Sequence, residues 1–199
     1  MTTQRPTAPP TVHPELAELP GSMLTATASR ALAVLRVAMS FVFLWAFLDK
    51  TFGLNYSTGA SPESKSWIDG GSPTKGFLSN VQVGPFQSWF RSIAGATWAD
   101  WLFMLGLLGI GLTLLLGIGM RLGALAGVVM MGLMWFSEFP PAQHDSTGAL
   151  TGSSNPVVDY HFIYAVVMVV LALTYAGNTW GLGKYWARVP FVNKNRWLL

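Results

Sequence analysis

Cysteine is absent from the 199 residues. Disulfides, thiol redox catalysis, cysteine-ligated zinc, iron–sulfur clusters and thiolate haem are therefore excluded within this chain. Charge is scarce as well: 12 Lys and Arg and 9 Asp and Glu make the chain 11% charged and 51% hydrophobic, with a mean hydropathy of +0.42. A soluble domain carries about 25% charged residues, so a bilayer is the simplest solvent for this composition. The net charge of +3 does not mark a nucleic-acid binder, because most basic residues flank apolar runs instead of forming a phosphate-binding patch.

What is present is a set of long apolar runs. Residues 1–29 form a Pro-, Thr- and Ala-rich tail with Glu15 and Glu18 and no core-forming periodicity, expected to be flexible and to be retained, since nothing in it reads as a secretory signal. Residues 30–183 are expected to fold as an all-α integral membrane four-helix bundle, with spans near 31–51, 101–120, 122–139 and 157–180. Residues 184–199 form a basic C-terminal segment. The short connection around Gly119 to Gly123 makes spans two and three an antiparallel hairpin. Basic residues collect on the side of the tail, this turn and the C-terminus; on the other side the connection from Trp135 to Asp159 has no Lys or Arg, and Lys50, Lys65, Lys75 and Arg91 of the first connection are offset by Asp49, Glu63, Asp69 and Asp100. That asymmetry predicts both termini on the cytoplasmic face of the plasma membrane.

The connection over 53–100 is too long to be idle, and Ser72-Pro73 and Pro85 each signal a helix start. Phe86, Trp89, Phe90 and Ile93 fall on one helical face, which suits either an interfacial helix or one packed over the bundle ends. Gly109, Thr113 and Gly117, and then Gly119, Gly123 and Gly127, recur every four residues and predict close helix crossings. Trp45, Trp98, Trp101, Trp135, Trp180 and Trp186 sit near span ends, as headgroup anchors do.

Charges in or beside apolar spans need a partner or a cavity. Arg36 lies inside span one and either snorkels to the headgroups or meets a buried ion pair or anion. Lys50, fourteen residues on, belongs to the opposite membrane surface. There Asp49, Lys50, Glu138, His144, Asp145, Asp159, Tyr160, His161 and Tyr164 gather. Asp159 and His161, two apart, point to different sides of a regular helix, so no metal site is expected unless the backbone between them is irregular. A His beside an acid and membrane-level aromatics suits proton-coupled quinone chemistry; the plainer alternative is an ordinary helix start, with Asn155-Pro156 and Asp159 in its first turn. Bis-histidine haem is not expected, since of His13, His144 and His161 only the last is near a span.

The segments Leu35-Arg36 with Phe43-Leu44-Trp45-Ala46-Phe47-Leu48-Asp49-Lys50, Ser66 to Leu78, Gly117 with Arg121, Asn155 to His161, and Ala176 to Gly183 together resemble the DoxX/DoxD membrane family, over nearly everything after the tail. The resemblance implies four transmembrane helices and, through the DoxD-type subunit of thiosulfate:quinone oxidoreductase, a membrane redox role with quinone as electron acceptor. On that reading His161, Asp159 and Lys50 are the expected catalytic residues, and Arg36, Trp45, Tyr164 and Arg121 the expected cofactor-binding set. No metal or haem is expected, and the expected partners are lipid and a second protein subunit. The competing reading is a noncatalytic membrane anchor or assembly subunit of a larger complex.

Overall fold

The computed structural model describes residues 24–61 and 64–199; most of the expected flexible tail lies outside the described residues. Four main helices run back and forth: α1 (Ala26–Phe52), α2 (Thr97–Leu116), α3 (Met120–Glu138) and α4 (Tyr160–Leu173). No strand forms among the described residues beyond one isolated bridge between His144 and Leu150. The first three helices are long and apolar enough to cross a membrane, and α4 is apolar but has only 14 residues. The chain is thus a helical membrane bundle with one short member.

Capping explains where the helices start and stop. Thr25 accepts the Ala28 N–H at the start of α1, and Gly53 closes its end in the left-handed conformation at φ 65°. Gly117 does the same for α2 at φ 70°. The α2–α3 turn therefore falls at 117–119 and α3 begins at Met120, a little earlier than the hydrophobic pattern suggested. We call the end of the bundle that holds this turn the turn end, and the end covered by the long 53–96 connection the cap end.

The helices pair α1 with α2 and α3 with α4, and α2 against α3 closes the bundle. Met39, Phe43, Met104, Ile110, Leu114, Met168 and Leu171 fill its centre. Small residues make the crossings possible, though not all those expected. A Cβ on Gly123 would lie 2.2 Å from the Thr113 hydroxyl, and one on Gly127 would lie 2.2 Å from the Met168 sulfur. Gly109, expected at a crossing, has open space around it, while Gly111 is the α2 glycine packed against Leu44 of α1.

Arg36 settles how the turn end is built. Its side chain is fully buried, and its guanidinium donates to the carbonyls of Leu114, of Leu115 (2.6 Å), of Thr179 (3.3 Å) and of Trp180 (3.0 Å). The first two belong to the last turn of α2, where carbonyls lack helical partners and the helix dipole is negative. Of the two readings open for Arg36, snorkelling is ruled out by its burial; the partner it finds is backbone, with no ion pair among the described residues.

This arrangement explains why α4 stops at Leu173 although the apolar pattern continues to Trp180. Tyr175 turns left-handed at φ 52°, a short 3-10 turn (Ala176–Asn178) follows, and the chain passes beneath α2. A Cβ on Gly177 would sit 2.2 Å from the Gly117 carbonyl oxygen, and one on Gly181 would sit 2.5 Å from that of Gly177. Only glycine allows this approach. Irregular backbone within an apolar bundle survives where protein satisfies it: Leu182 N–H donates to Leu116 O at 2.8 Å, and Arg36 takes the carbonyls of residues 179 and 180.

At the cap end two buried carboxylates fold the long connection. Asp49, 1% exposed, accepts the N–H groups of Tyr56, Ser57 and Thr58 and the Ser57 hydroxyl. Asp100 accepts the Ser72 and Thr74 hydroxyls and the Thr74 N–H. The expected helix starts give helices at Lys75–Leu78 and Gln87–Ile93. In the second, Phe90 is buried and Phe86 stacks edge-on against Phe136 at 5.3 Å, while Trp89 remains 45% exposed. One helix combines the packed and the interfacial reading.

Replacing Arg36 by Met leaves four carbonyls without their donor and should cost roughly 3 kcal/mol. Thermal unfolding of detergent-solubilised Arg36→Met is expected well below wild type, with Arg36→Lys in between. An unchanged midpoint for Arg36→Met would show that the carbonyl crown is not what holds the turn end.

Candidate functional site

Two adjoining pockets at the cap end hold most of the side chains with chemistry left to offer. The first, about 620 Å³, lies between the Lys75–Leu78 helix, the end of α3, the 140–155 connection and the start of α4, and is lined by Glu138, Asp145, Asp159 and Tyr160. Asp159 is the N-cap of α4, with φ −113° and ψ −173°, and its Oδ1 accepts the Phe162 N–H at 2.9 Å. Being extended and not helical, Asp159 swings its other oxygen back to His161 Nδ1 at 2.7 Å. The divergence expected from helical spacing is therefore corrected: the cap supplies the irregular backbone that unites the two.

Glu138, from the end of α3, completes the group. Its Oε1 accepts the Tyr160 hydroxyl at 2.8 Å and its Oε2 lies 3.9 Å from His161 Nδ1. His161 is 1% exposed and Glu138 37%, so the carboxylate links a buried imidazole to the pocket mouth. Tyr160 lies over the imidazole at 3.9 Å between ring centres, with Tyr164 at 5.9 Å from Tyr160. With Nδ1–H donated to Asp159, the other ring nitrogen, Nε2, is buried and has no partner among the described residues. Both carboxylates thus lie on the Nδ1 side of the imidazole, Asp159 in direct contact and Glu138 behind the pocket mouth.

These three groups are also the ones that could hold a metal ion, since one ligand atom from each lies within 4.8 Å of the others. Two ligands of one tetrahedral zinc stand roughly 3.3 Å apart. The 2.7 Å between Asp159 and His161 is shorter, the length of a direct charge-assisted hydrogen bond. A shared proton fits the gap better than a cation.

The second pocket, about 840 Å³, is lined by Lys50, Lys65 and Lys75 with Ser57, Ser64 and Ser72. Lys50 donates to the Ser57 hydroxyl at 3.4 Å, and none of the three lysines has a salt bridge among the described residues. Among the described residues, Asp49 and Asp100 hold backbone as above, and Asp69 accepts the Ser66 hydroxyl. Three ammonium groups with no salt bridge among the described residues, together with several hydroxyls, make a surface for a small anion. Phe77 lines both pockets and forms their common wall.

The expected catalytic residues are thus divided. His161 and Asp159 are joined, and Lys50 stands in the neighbouring pocket. The expected cofactor set divides further. Arg36 is bound to carbonyls at the turn end, where Arg121 donates to the Tyr175 hydroxyl at 2.9 Å and lies 5.7 Å from its ring. Trp45 packs edge-on against Tyr56 at 5.1 Å, nearer the cap end, and Tyr164 follows His161 on α4. These four do not form one site. Glu138 and Tyr160, neighbours by sequence topology, prove to be full members of the His161 group, and Lys65 and Lys75 are pocket residues that the sequence does not single out as a site.

A family model described as DoxX matches residues 31–138, more than half of the chain. The chain belongs to the DoxX family. Nothing among curated proteins and nothing among solved structures matches it. The match takes in α1, the cap, α2 and α3 and ends at Glu138, so Asp159, His161 and the glycine-rich segment under α2 lie beyond it. The lysine pocket of this DoxX protein is within the matched part; the His161 group straddles its edge.

Asp145, on the rim of the first pocket, organises the 145–149 turn. The Thr147 hydroxyl (2.6 Å), with the N–H groups of Thr147 and Ala149, holds its carboxyl below the usual carboxylate range. A depressed pKa stabilises the turn above the ordinary carboxylate range, and that contribution disappears as pH falls through the depressed value. Thr147→Val should move the Asp145 titration upward, as followed by carboxyl-carbon NMR; an unmoved titration would refute the hydroxyl's part.

Proposed function

We propose that this DoxX protein is a quinone-linked membrane redox subunit of the thiosulfate:quinone oxidoreductase type, which passes electrons from a small sulfur oxyanion to a membrane quinone at its cap end. The observation that carries this reading is the shared wall: a cationic, hydroxyl-lined pocket and an acid–His–Tyr group lie on the two sides of Phe77. The first suits an anionic donor and the second a proton-consuming acceptor. Lys50, Lys65 and Lys75 hold the anion. Reduction of a quinone to a quinol takes two protons and two electrons, and the sulfur oxyanion is oxidised as it gives up the electrons; Glu138 and Tyr160, which line the pocket, meet the ring oxygen, and His161, oriented by Asp159, is the proton reserve behind Glu138. Tyr160 and Tyr164 give the ring an aromatic wall. Arg36 and Arg121 serve the fold at the opposite end.

In this proposal the turn end, with both termini, is cytoplasmic and the redox site faces outward, a reading supported by the basic residues of the turn end. A second subunit is part of this proposal, since this chain has no thiol to act as a carrier.

The test is thiosulfate-dependent reduction of a short-chain quinone, first in membranes containing the protein and then after purification. His161→Gln should lower the rate about 100-fold or more, and Lys50→Ala should raise the thiosulfate KM more than it lowers kcat. Wild-type membranes without activity, from which a catalytic complex co-purifies intact with His161→Gln, would establish the anchor reading instead. A C-terminal tag modified by an impermeant reagent on intact cells would reverse the orientation.

A further inference from the structure

Every Asp and Glu among the described residues, namely Asp49, Asp69, Asp100, Glu138, Asp145 and Asp159, belongs to the cap end. The turn end carries Arg30, Arg36, Arg121, Lys184, Arg188, Lys194 and Arg196, and no Asp or Glu occurs after Asp159. Arg36 is neutralised by carbonyls, as shown above. Lys184 and Arg188 are not: neither has a salt bridge among the described residues, and the Arg188 guanidinium lies 5.9 Å from the Tyr185 ring centre.

These two cations line one cavity of about 670 Å³. Its floor is the start of α1 at Ser29 and Leu32, the α2–α3 turn at Met120, and Ala172 near the end of α4. Its polar rim and apolar floor match a molecule with an anionic head and hydrocarbon tails. Around it the C-terminal segment exposes large aromatics: Trp180, Tyr185 and Phe191 are each 66% exposed and Trp197 59%. Water gives no reason for such exposure, whereas the headgroup layer is where amphipathic rings settle.

We infer that the turn-end cavity is a binding site for an anionic phospholipid, its phosphate held by Lys184 and Arg188 and its acyl chains lying along Leu32, Met120 and Ala172. Two features favour a lipid over a free oxyanion: the apolar floor, and an aromatic fringe that sets the cavity at headgroup depth. The inference is independent of the redox reading and of which face of the membrane the turn end occupies.

The test uses the full chain in nanodiscs of phosphatidylcholine with graded phosphatidylglycerol, read by native mass spectrometry for bound lipid and by thermal unfolding. Wild type should retain phosphatidylglycerol preferentially. Each basic residue contributes about fivefold near an anionic surface, so Lys184→Ala with Arg188→Ala should reduce the preference about 25-fold. Lys184→Arg should keep it. Equal retention of the two lipids, or an unchanged preference in a double variant with wild-type circular dichroism, overturns the proposal. Displacement of the lipid by millimolar glycerol phosphate would assign the cavity to a soluble phosphate compound. A preference that emerges only when residues 1–23 are deleted would assign it to the chain's own Glu15 and Glu18, and would likewise overturn the proposal.

Discussion

A guanidinium buried in an apolar bundle must be neutralised, and in this chain the backbone does it. Arg36 reaches from α1 to the last turn of α2 and to the strand of chain beyond α4, so one side chain ties three parts of the bundle together. The negative end of the α2 dipole offsets its charge. Two segments must come close enough to present their carbonyls to the same cation, which is why Gly117, Gly177 and Gly181 meet with no room for a methyl group. The early end of α4 and the glycine-rich turn after it are consequences of that one contact.

The cap end uses the opposite pairing. Asp49 is buried among N–H groups and hydroxyls of residues 56–58, and Asp100 among those of residues 72 and 74. Backbone N–H groups and hydroxyls thereby occupy both carboxylates, and neither forms a salt bridge with a cap lysine. Lys50, Lys65 and Lys75 are left around a common pocket, and Glu138 is left to His161 and Tyr160. The function proposed for this DoxX protein draws on charges the fold does not consume.

The number of helices, their antiparallel order and the ordered cap were legible in the sequence, because apolar run length and proline position report them directly. What was not legible followed from contacts remote in sequence or from irregular backbone. Asp159 and His161 were read on an ideal helix, where spacing by two separates them; at an N-cap that rule does not apply. Arg36 advertised a partner but could not say that the partner was carbonyl oxygen 78 to 144 residues away. Gly109 and Gly111 are equivalent as sequence, and only the α1 contact at Leu44 distinguishes them. Lys65 and Lys75 lie in a segment without periodicity, so nothing in one dimension brought them to Lys50.

The shortness of α4 has a consequence for the lipid beside it. Its 14 residues cover about 21 Å along the axis, against a hydrocarbon layer of about 30 Å. A hydrophobic mismatch of this size, on one flank only, favours local thinning of the bilayer. Beside α4 the two headgroup layers are then drawn closer together than along the 27-residue α1, so the surroundings of the bundle are unequal on its two flanks.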